Sequence, residues 1–341
     1  MKMKTISNFK TSGWILAVFM LTACDSMFLA EPGTNQEVIF EHFWQTFKDD
    51  YALFEERNID WDESYLQFRP LVTPFTSDSD LFEILSDMIA PIGDGHVSLI
   101  APHYGSFSAN EYFRERIDDE LFSTDLIRSS YLEQGYQASG KQYMYGKIRD
   151  HNIGYIHFDE FRAASAKLDD LLKNYPDVNG YIVDLRHNNG GDVSHSFSFL
   201  GRFTPEDKLF LRSKTKNGKG PDDYTPWFDW YLKSSGTFID KPLVILTDRY
   251  TVSAAERMVM AAKTLTMVTV IGETTNGTFG TKISRELAND WFYSYSIQKV
   301  EMYDGKSYEG IGIAPDVVVK NDLQEMQNGI DRTLQVAIDL F

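Results

Sequence analysis

The segment Leu243–Ile271 restricts the fold more than any other part of the chain. It opens on Leu243-Val244-Ile245-Leu246, a short apolar run without alternation, and closes on Val268-Thr269-Val270-Ile271 before Gly272. Runs of this kind predict strands buried on both faces, as in a parallel sheet covered by helices. Between them Met258, Val259, Ala261 and Ala262 fall at helical spacing. Two parallel strands joined through a helix require a right-handed crossover, so the helix must lie on one face of the sheet. The same order recurs upstream. Ile153–Phe158 reads as a buried strand, Phe161–Asn174 as an amphipathic helix with Leu168, Leu171 and Leu172 on its apolar side, and Gly180–Arg186 as the next strand. An α/β chain is therefore expected.

Ser253 stands at the mouth of the helix that follows the first of these strands. A serine there lies beside unpaired backbone N–H groups and the positive end of the helix dipole. Such groups can stabilise the oxyanion formed when a hydroxyl attacks a carbonyl. Ser253-Ala254-Ala255-Glu256 also fits the S-x-x-E capping box, which does no more than start a helix and is the commoner meaning of the pattern. A base and an oxyanion hole must come from elsewhere. Gly93-Asp94-Gly95-His96 lies between a helical stretch and an apolar strand, a tight loop that can fix an imidazole. Histidine suits the role of base because its pKa lies near working pH, although a histidine in a turn is more often structural. His187-Asn188-Asn189-Gly190-Gly191 forms a strand-to-helix turn whose glycines allow backbone N–H groups to face one point. An ordinary left-handed turn is the bland alternative.

Composition narrows the classes. With 43% hydrophobic residues in 341, the chain can bury a large core. A formal net charge of -17 argues against non-specific binding to nucleic acid. The spacing of His187 and His195 matches no common zinc pattern and there is no H-E-x-x-H, so neither a metal nor an organic cofactor is expected. The chain starts with Lys2, Lys4 and Lys10, continues through the apolar Trp14–Leu21, and reaches Leu21-Thr22-Ala23-Cys24. This resembles a bacterial lipoprotein signal, and the resemblance implies cleavage before Cys24 and lipid attachment to it. Cys24 is the only cysteine, which excludes a disulfide within the chain. The expected layout is a signal over 1–23, a tether over 24–36, a helical domain over 37–100 ending in the histidine loop, a connecting segment over 101–152 without an evident PDZ domain, and a core over 153–341. The stretch 214–223 reads as a surface loop or a flap.

Three separated motifs together resemble the S41 peptidases, a group that includes the C-terminal processing proteases and the tricorn core. They are Asp184-Leu185-Arg186-His187-Asn188-Asn189-Gly190-Gly191, then Ser253-Ala254-Ala255-Glu256 with Ile271-Gly272-Glu273-Thr274-Thr275, then Glu309-Gly310-Ile311-Gly312-Ile313-Ala314-Pro315-Asp316. The resemblance implies a ClpP/crotonase-like core of stacked ββα units with a small N-terminal helical domain. It also implies peptide-bond hydrolysis, with peptides or proteins as substrates. One branch of the family pairs its serine with a lysine, and Thr278 stands at that lysine's position here; Lys282, four residues on, is expected to be presented differently. The tricorn-like branch uses serine, histidine and glutamate, and Ser253, His96 and Glu309 match it. Gly190 or Gly191 with Ala254 would form the oxyanion hole. Gly95 stands where the tricorn core has a further serine. Asp184 and Arg186 are read as a structural ion pair. The implied setting is the bacterial cell envelope, with membrane contact through Cys24. Two other classes stay open: an inactive peptidase fold that binds a peptide or hydrophobic ligand, and a structural envelope lipoprotein.

Overall fold

The main sheet has seven strands, in the order Val317–Val318, Val268–Gly272, Leu243–Thr247, Gly180–Asp184, Ile153–Phe158, Tyr143–Lys147 and Gln137–Ser139. The first five run parallel; Tyr143–Lys147 pairs antiparallel with Ile153–Phe158, and Gln137–Ser139 antiparallel with Tyr143–Lys147. The structure is a computed structural model that describes residues 35–161 and 163–341. The signal segment, Cys24 and all but the last two residues of the 24–36 tether lie outside the described residues.

Every residue of Leu243–Thr247, Gly180–Asp184 and Ile153–Phe158 is buried, as the unalternated runs require. Successive side chains still point to opposite faces. Leu243 and Ile245 enter one core with Met258, Val259 and Ala262 of the Ala254–Ala262 helix. Val244 and Leu246 enter another with Leu334, Ala337 and Ile338 of the Arg332–Ile338 helix. Each such side chain contributes about 1.5–3 kcal/mol of burial, so the pattern commits the chain to helices on both faces. The first core is widened by a three-stranded sheet of Gln298–Met302, Lys208–Thr215 and Phe228–Leu232, which supplies Phe210, Leu232 and Val300.

A third core belongs to the N-terminal helices Gln36–Asp50, Trp61–Phe68 and Asp78–Ile89. Asn35, Asp60 and Ser77 cap them by accepting from Val38, Glu63 and Asp80 N–H, which satisfies otherwise unpaired donors. Phe40, Phe43, Phe47, Leu81 and Leu85 pack there with Tyr293 and Tyr295 from far along the chain. The link is a four-stranded antiparallel sheet in the order Lys282–Glu286, Phe292–Ser296, Ser98–Ala101, Gly105–Ser108. Ser98 pairs with Ser294 and Leu99 with Tyr293. The helical unit therefore takes its floor from residues 282–296, and this pairing carries the histidine loop to the serine.

Two helices follow near the C-terminus, Leu323–Gln327 and Arg332–Ile338. Gly329 at φ 87° separates them, and Asp331 caps the second by accepting from Leu334 N–H. The α-helix expected from Phe161 begins at Lys167. The 214–223 loop folds against the helical unit: Lys219 pairs with Asp49 at 3.2 Å, and the Tyr224 hydroxyl donates to Ala52 O at 3.0 Å.

Candidate active site

Ser253 sits between the Leu243–Thr247 strand and the Ala254–Ala262 helix with φ 63° and ψ -118°. A side chain rarely adopts this region, and holding it there costs about 1–3 kcal/mol. Buried Glu256 fixes it. The Glu256 carboxylate accepts from Ser253 N–H at 3.1 Å, Thr275 Oγ1 at 2.6 Å, Gly277 N–H at 2.7 Å and Thr278 N–H at 2.9 Å. Ser253 N–H also donates to Thr278 O at 2.8 Å. Burial pushes the Glu256 carboxyl up to about 6, against the pull of these hydrogen bonds. Both approaches of a capping box exist, but only the Glu256 half reaches hydrogen-bond geometry; the Ser253 hydroxyl makes no cap bond. The S-x-x-E pattern thus anchors the strained turn and leaves the hydroxyl available.

The glycine turn presses on this serine. Gly190 has φ 79°, and a Cβ there would stand 2.6 Å from Ser253 Cβ and 2.9 Å from Ala254 N. Asn188 sets the turn by donating to Phe158 O at 2.6 Å and accepting Gly190 N–H at 2.9 Å. That bond corrects one expectation: Gly190 N–H is already committed to Asn188, so Gly190 serves by close approach. Gly191 and Ala254 remain as candidate donors to an oxyanion, and Ala254 as first residue of its helix has no intrahelical acceptor.

His96 is 6% exposed and held from three sides. Its N–H donates to Asp94 Oδ1 at 2.8 Å, and its carbonyl accepts from Ser294 Oγ at 2.7 Å. Its Nδ1 lies 3.4 Å from Ser296 Oγ, which donates to Asp94 Oδ2 at 2.9 Å. With its hydrogen given to Asp94, Ser296 Oγ can only accept from Nδ1–H, which leaves Nε2 as the free base. Burial pushes the His96 imidazole down to about 4; Asp94 opposes this, while Lys282, Arg257 and Arg57 add to it. Burial also works against the Asp94 charge, but Arg57 and His96 hold its carboxyl below the usual range.

Glu309 is 2% exposed and accepts from Gly280 N–H at 2.7 Å, Phe279 N–H at 3.2 Å and Arg57 Nη2 at 3.2 Å. Burial pushes it up to about 8, with Arg57 opposing and the Asp94 and Glu256 charges assisting. Arg57 stands 3.8 Å from Asp94, so Glu309 reaches the base only through Arg57 and Asp94. Two carboxyls sharing one guanidinium are driven apart in pKa, one low and one high.

Ser253, His96, Gly190, Gly191 and Ala254 line one cavity of about 660 Å³. Glu309 lies behind it, on a second cavity of about 670 Å³ with Arg57. Among the described residues no hydrogen bond joins Ser253 to His96, a looseness common before substrate closes such a site. Thr278, at the lysine position of the other branch, ties the two loops: its Oγ1 accepts Gly95 N–H at 3.0 Å and its carbonyl accepts Ser253 N–H. Lys282 is presented differently from Thr278: it lines the Ser253 cavity, whereas Thr278 is buried. Arg186 and Asp184 form the expected structural pair, with bonds of 2.9 and 2.6 Å, and Asp331 joins it at 2.8 Å. Ser296, Arg57 and Asn188 escaped the sequence reading. The alternation of Ser294 and Ser296 with Tyr293 and Tyr295 was the one local signal that two serines share a face.

A serine on a strained strand-to-helix turn, backed by a glycine turn and facing a buried histidine, defines a mixed α/β protein with a hydrolase-type cavity. The profile of Peptidase family S41 matches residues 152–319, and that of the tricorn protease C1 domain matches residues 32–90. The chain is 29% identical over 179 residues to the carboxy-terminal processing protease CtpA of Bacillus subtilis, covering 51% of this chain and 36% of that protein. It is 26% identical over 193 residues to the tricorn protease of Thermoplasma volcanium, covering 55% of this chain and 17% of that one. A solved structure of a candidate peptidase from Parabacteroides merdae superposes with a TM-score of 0.80 at 29% identity, covering 90% of this chain and 97% of that one. The segment 152–319 belongs to peptidase family S41. The chain spans about a third to a half of the length of the processing proteases it matches.

Proposed function

We propose that this protein is a serine peptidase that hydrolyses peptide bonds of proteins or peptides, with Ser253 as nucleophile and His96 as base. The observation that carries the reading is the shared cavity: His96 from the N-terminal unit and Ser253 from the core face the same space, with Gly190 packed against the serine. Ser253 Oγ attacks the carbonyl as His96 Nε2 takes its proton. Gly191 and Ala254 N–H receive the oxyanion, a term worth about 2.7–4 kcal/mol per donor. His96 then protonates the leaving amine, and water repeats the sequence to release the acyl group. Ser296 and Asp94 orient the imidazole and offset its transient charge. Glu309 acts at one remove, by fixing Arg57 behind Asp94. In this reading 37–100 carries the base and 153–341 the nucleophile. Lipid on Cys24 holds the protein in a bacterial cell envelope. The names of the CtpA and tricorn relatives, both proteases, support the reaction class.

The test is cleavage of a mixed peptide library read by mass spectrometry, beside labelling of the protein by a fluorophosphonate. Ser253→Ala and His96→Ala should each lose cleavage by several orders of magnitude while remaining folded. Loss in Lys282→Ala with retention in His96→Ala would transfer the base to Lys282. A folded wild type that neither cleaves nor labels would leave an inactive ligand-binding fold.

A further inference from the structure

The cavity over Ser253 is lined by two positive side chains, Arg257 and Lys282. Arg257 lies one helical turn beyond Ser253. It donates Nε to Phe279 O at 3.0 Å and Nη2 to Gln298 Oε1 at 2.6 Å and Thr281 Oγ1 at 3.5 Å, all uncharged acceptors. The Trp230 ring lies 5.5 Å from its guanidinium carbon. Lys282 follows Thr281 directly and opens the edge strand Lys282–Glu286, exposed toward the cavity. Among the described residues neither cation has a carboxylate within ion-pair distance; Glu160 also borders the cavity but pairs with neither. The chain has 50 acidic residues against 33 basic ones, so a cation can find a partner readily. Burial of Arg257 carries a desolvation cost that Glu309 offsets only at a distance and that an incoming anion would relieve further; Lys282 adds an exposed positive charge on the same cavity.

We propose that the site selects an acidic residue beside the scissile bond, holding its side-chain carboxylate between Arg257 and Lys282. The proposal rests on the serine peptidase reading and adds the substrate class. Placement supports it. Arg257 rises from the helix that begins next to Ser253, and Lys282 starts the strand paired to Phe292–Ser296, whose Ser296 holds His96. Both side chains line the cavity that Ser253 and His96 line, so a substrate held there lies beside them. Arg257, Lys282 and Arg57 also weaken His96 as a base, and burial pushes Arg257 itself down to about 10. A bound carboxylate offsets these charges, so an acidic substrate restores basicity to the group that must take the proton. Guanidinium and ammonium donors also favour a carboxylate over its amide through charge-assisted bonds.

The experiment uses one peptide series, identical except for Glu, Gln or Lys on either side of the cleaved bond. Each peptide is made with a free and with an amidated C-terminus. The wild type should favour Glu over Gln by about 10- to 100-fold in kcat/KM. Lys282→Glu, at an exposed position, should invert the order toward Lys. Arg257→Met should shrink the Glu preference, with its melting temperature read in parallel because Arg257 also braces Phe279 and Gln298. Equal cleavage of Glu and Gln peptides by wild type overturns the proposal and leaves the peptidase reading standing. So does a Lys282→Glu variant that keeps the Glu preference. A preference that disappears on amidation and ignores the side chain assigns the two cations to a chain terminus, and overturns the side-chain form. If no peptide is cleaved and Ser253 takes no fluorophosphonate label, the peptidase reading fails and the specificity fails with it.

Discussion

Acidification titrates the candidate base, and the structure sets where that should happen. An ordinary imidazole takes its proton near pH 6.5, but the His96 ring is held down to about 4. The gap of about 2.5 units corresponds to about 3 kcal/mol favouring the neutral form in the fold. Only neutral His96 can accept the Ser253 proton. The acid limb of kcat/KM should therefore fall near pH 4, well below the value for a solvated histidine. The sign of the linked stability follows. An unfolded chain binds the proton at about 6.5 and the folded one only near 4, so the His96 contribution is complete above pH 6.5 and is lost as pH falls toward 4. His157, also held down to about 4 by burial, acts in the same direction. The assay is kcat/KM on one peptide from pH 3.5 to 8, with thermal melts in the same buffers. A limb centred between pH 6 and 7 in a protein still folded would refute the reasoning, because it would mean that the imidazole is hydrated and the burial argument wrong.

Other perturbations probe other contacts. Gly190→Ala places a methyl 2.6 Å from Ser253 Cβ at φ 79°; stability should fall by about 2–4 kcal/mol in urea unfolding, and turnover by 100-fold or more. Glu256→Gln turns an acceptor of Ser253 and Thr278 N–H into a donor; a loss of about 2–5 kcal/mol is expected, seen as a lower urea midpoint with unchanged slope. Arg186→Met leaves Asp184 and Asp331 buried without their cation, which should cost about 3–5 kcal/mol by the same measurement. Glu309, raised to about 8 from 4.5, gives stability that is present below pH 4.5 and is lost as pH rises through 8. Between pH 6.5 and 8 the wild-type melting temperature should decline, and that of Glu309→Gln should stay flat.

The parts of this molecule that could be read from sequence are those fixed by neighbours in the chain. Leu243–Leu246 announced a strand because all four side chains are apolar, and the sheet does bury each of them, alternately in two cores. Asp94-Gly95-His96 could be read as a loop able to hold a base, and Asp94 does bind His96 N–H two residues on. Ser296 could not be read in that way. It lies 200 positions from His96, and only the pairing of Phe292–Ser296 with Ser98–Ala101 joins them. Arg57 and Glu309 are 252 positions apart and meet through the same assembly. The commitment of Gly190 N–H was closer to the surface of the sequence, since an asparagine side chain commonly binds the N–H two residues on.

The pairing of Phe292–Ser296 with Ser98–Ala101 also imposes an order in time. A ribosome releases the histidine loop long before the segment that grips it, and the serine turn emerges in between. Until Ser294 and Ser296 have left the exit tunnel and closed on His96, the imidazole of the growing polypeptide lacks the contacts that orient it. In the serine peptidase reading, the alignment of His96 with Ser253 therefore waits for a strand made after both of them.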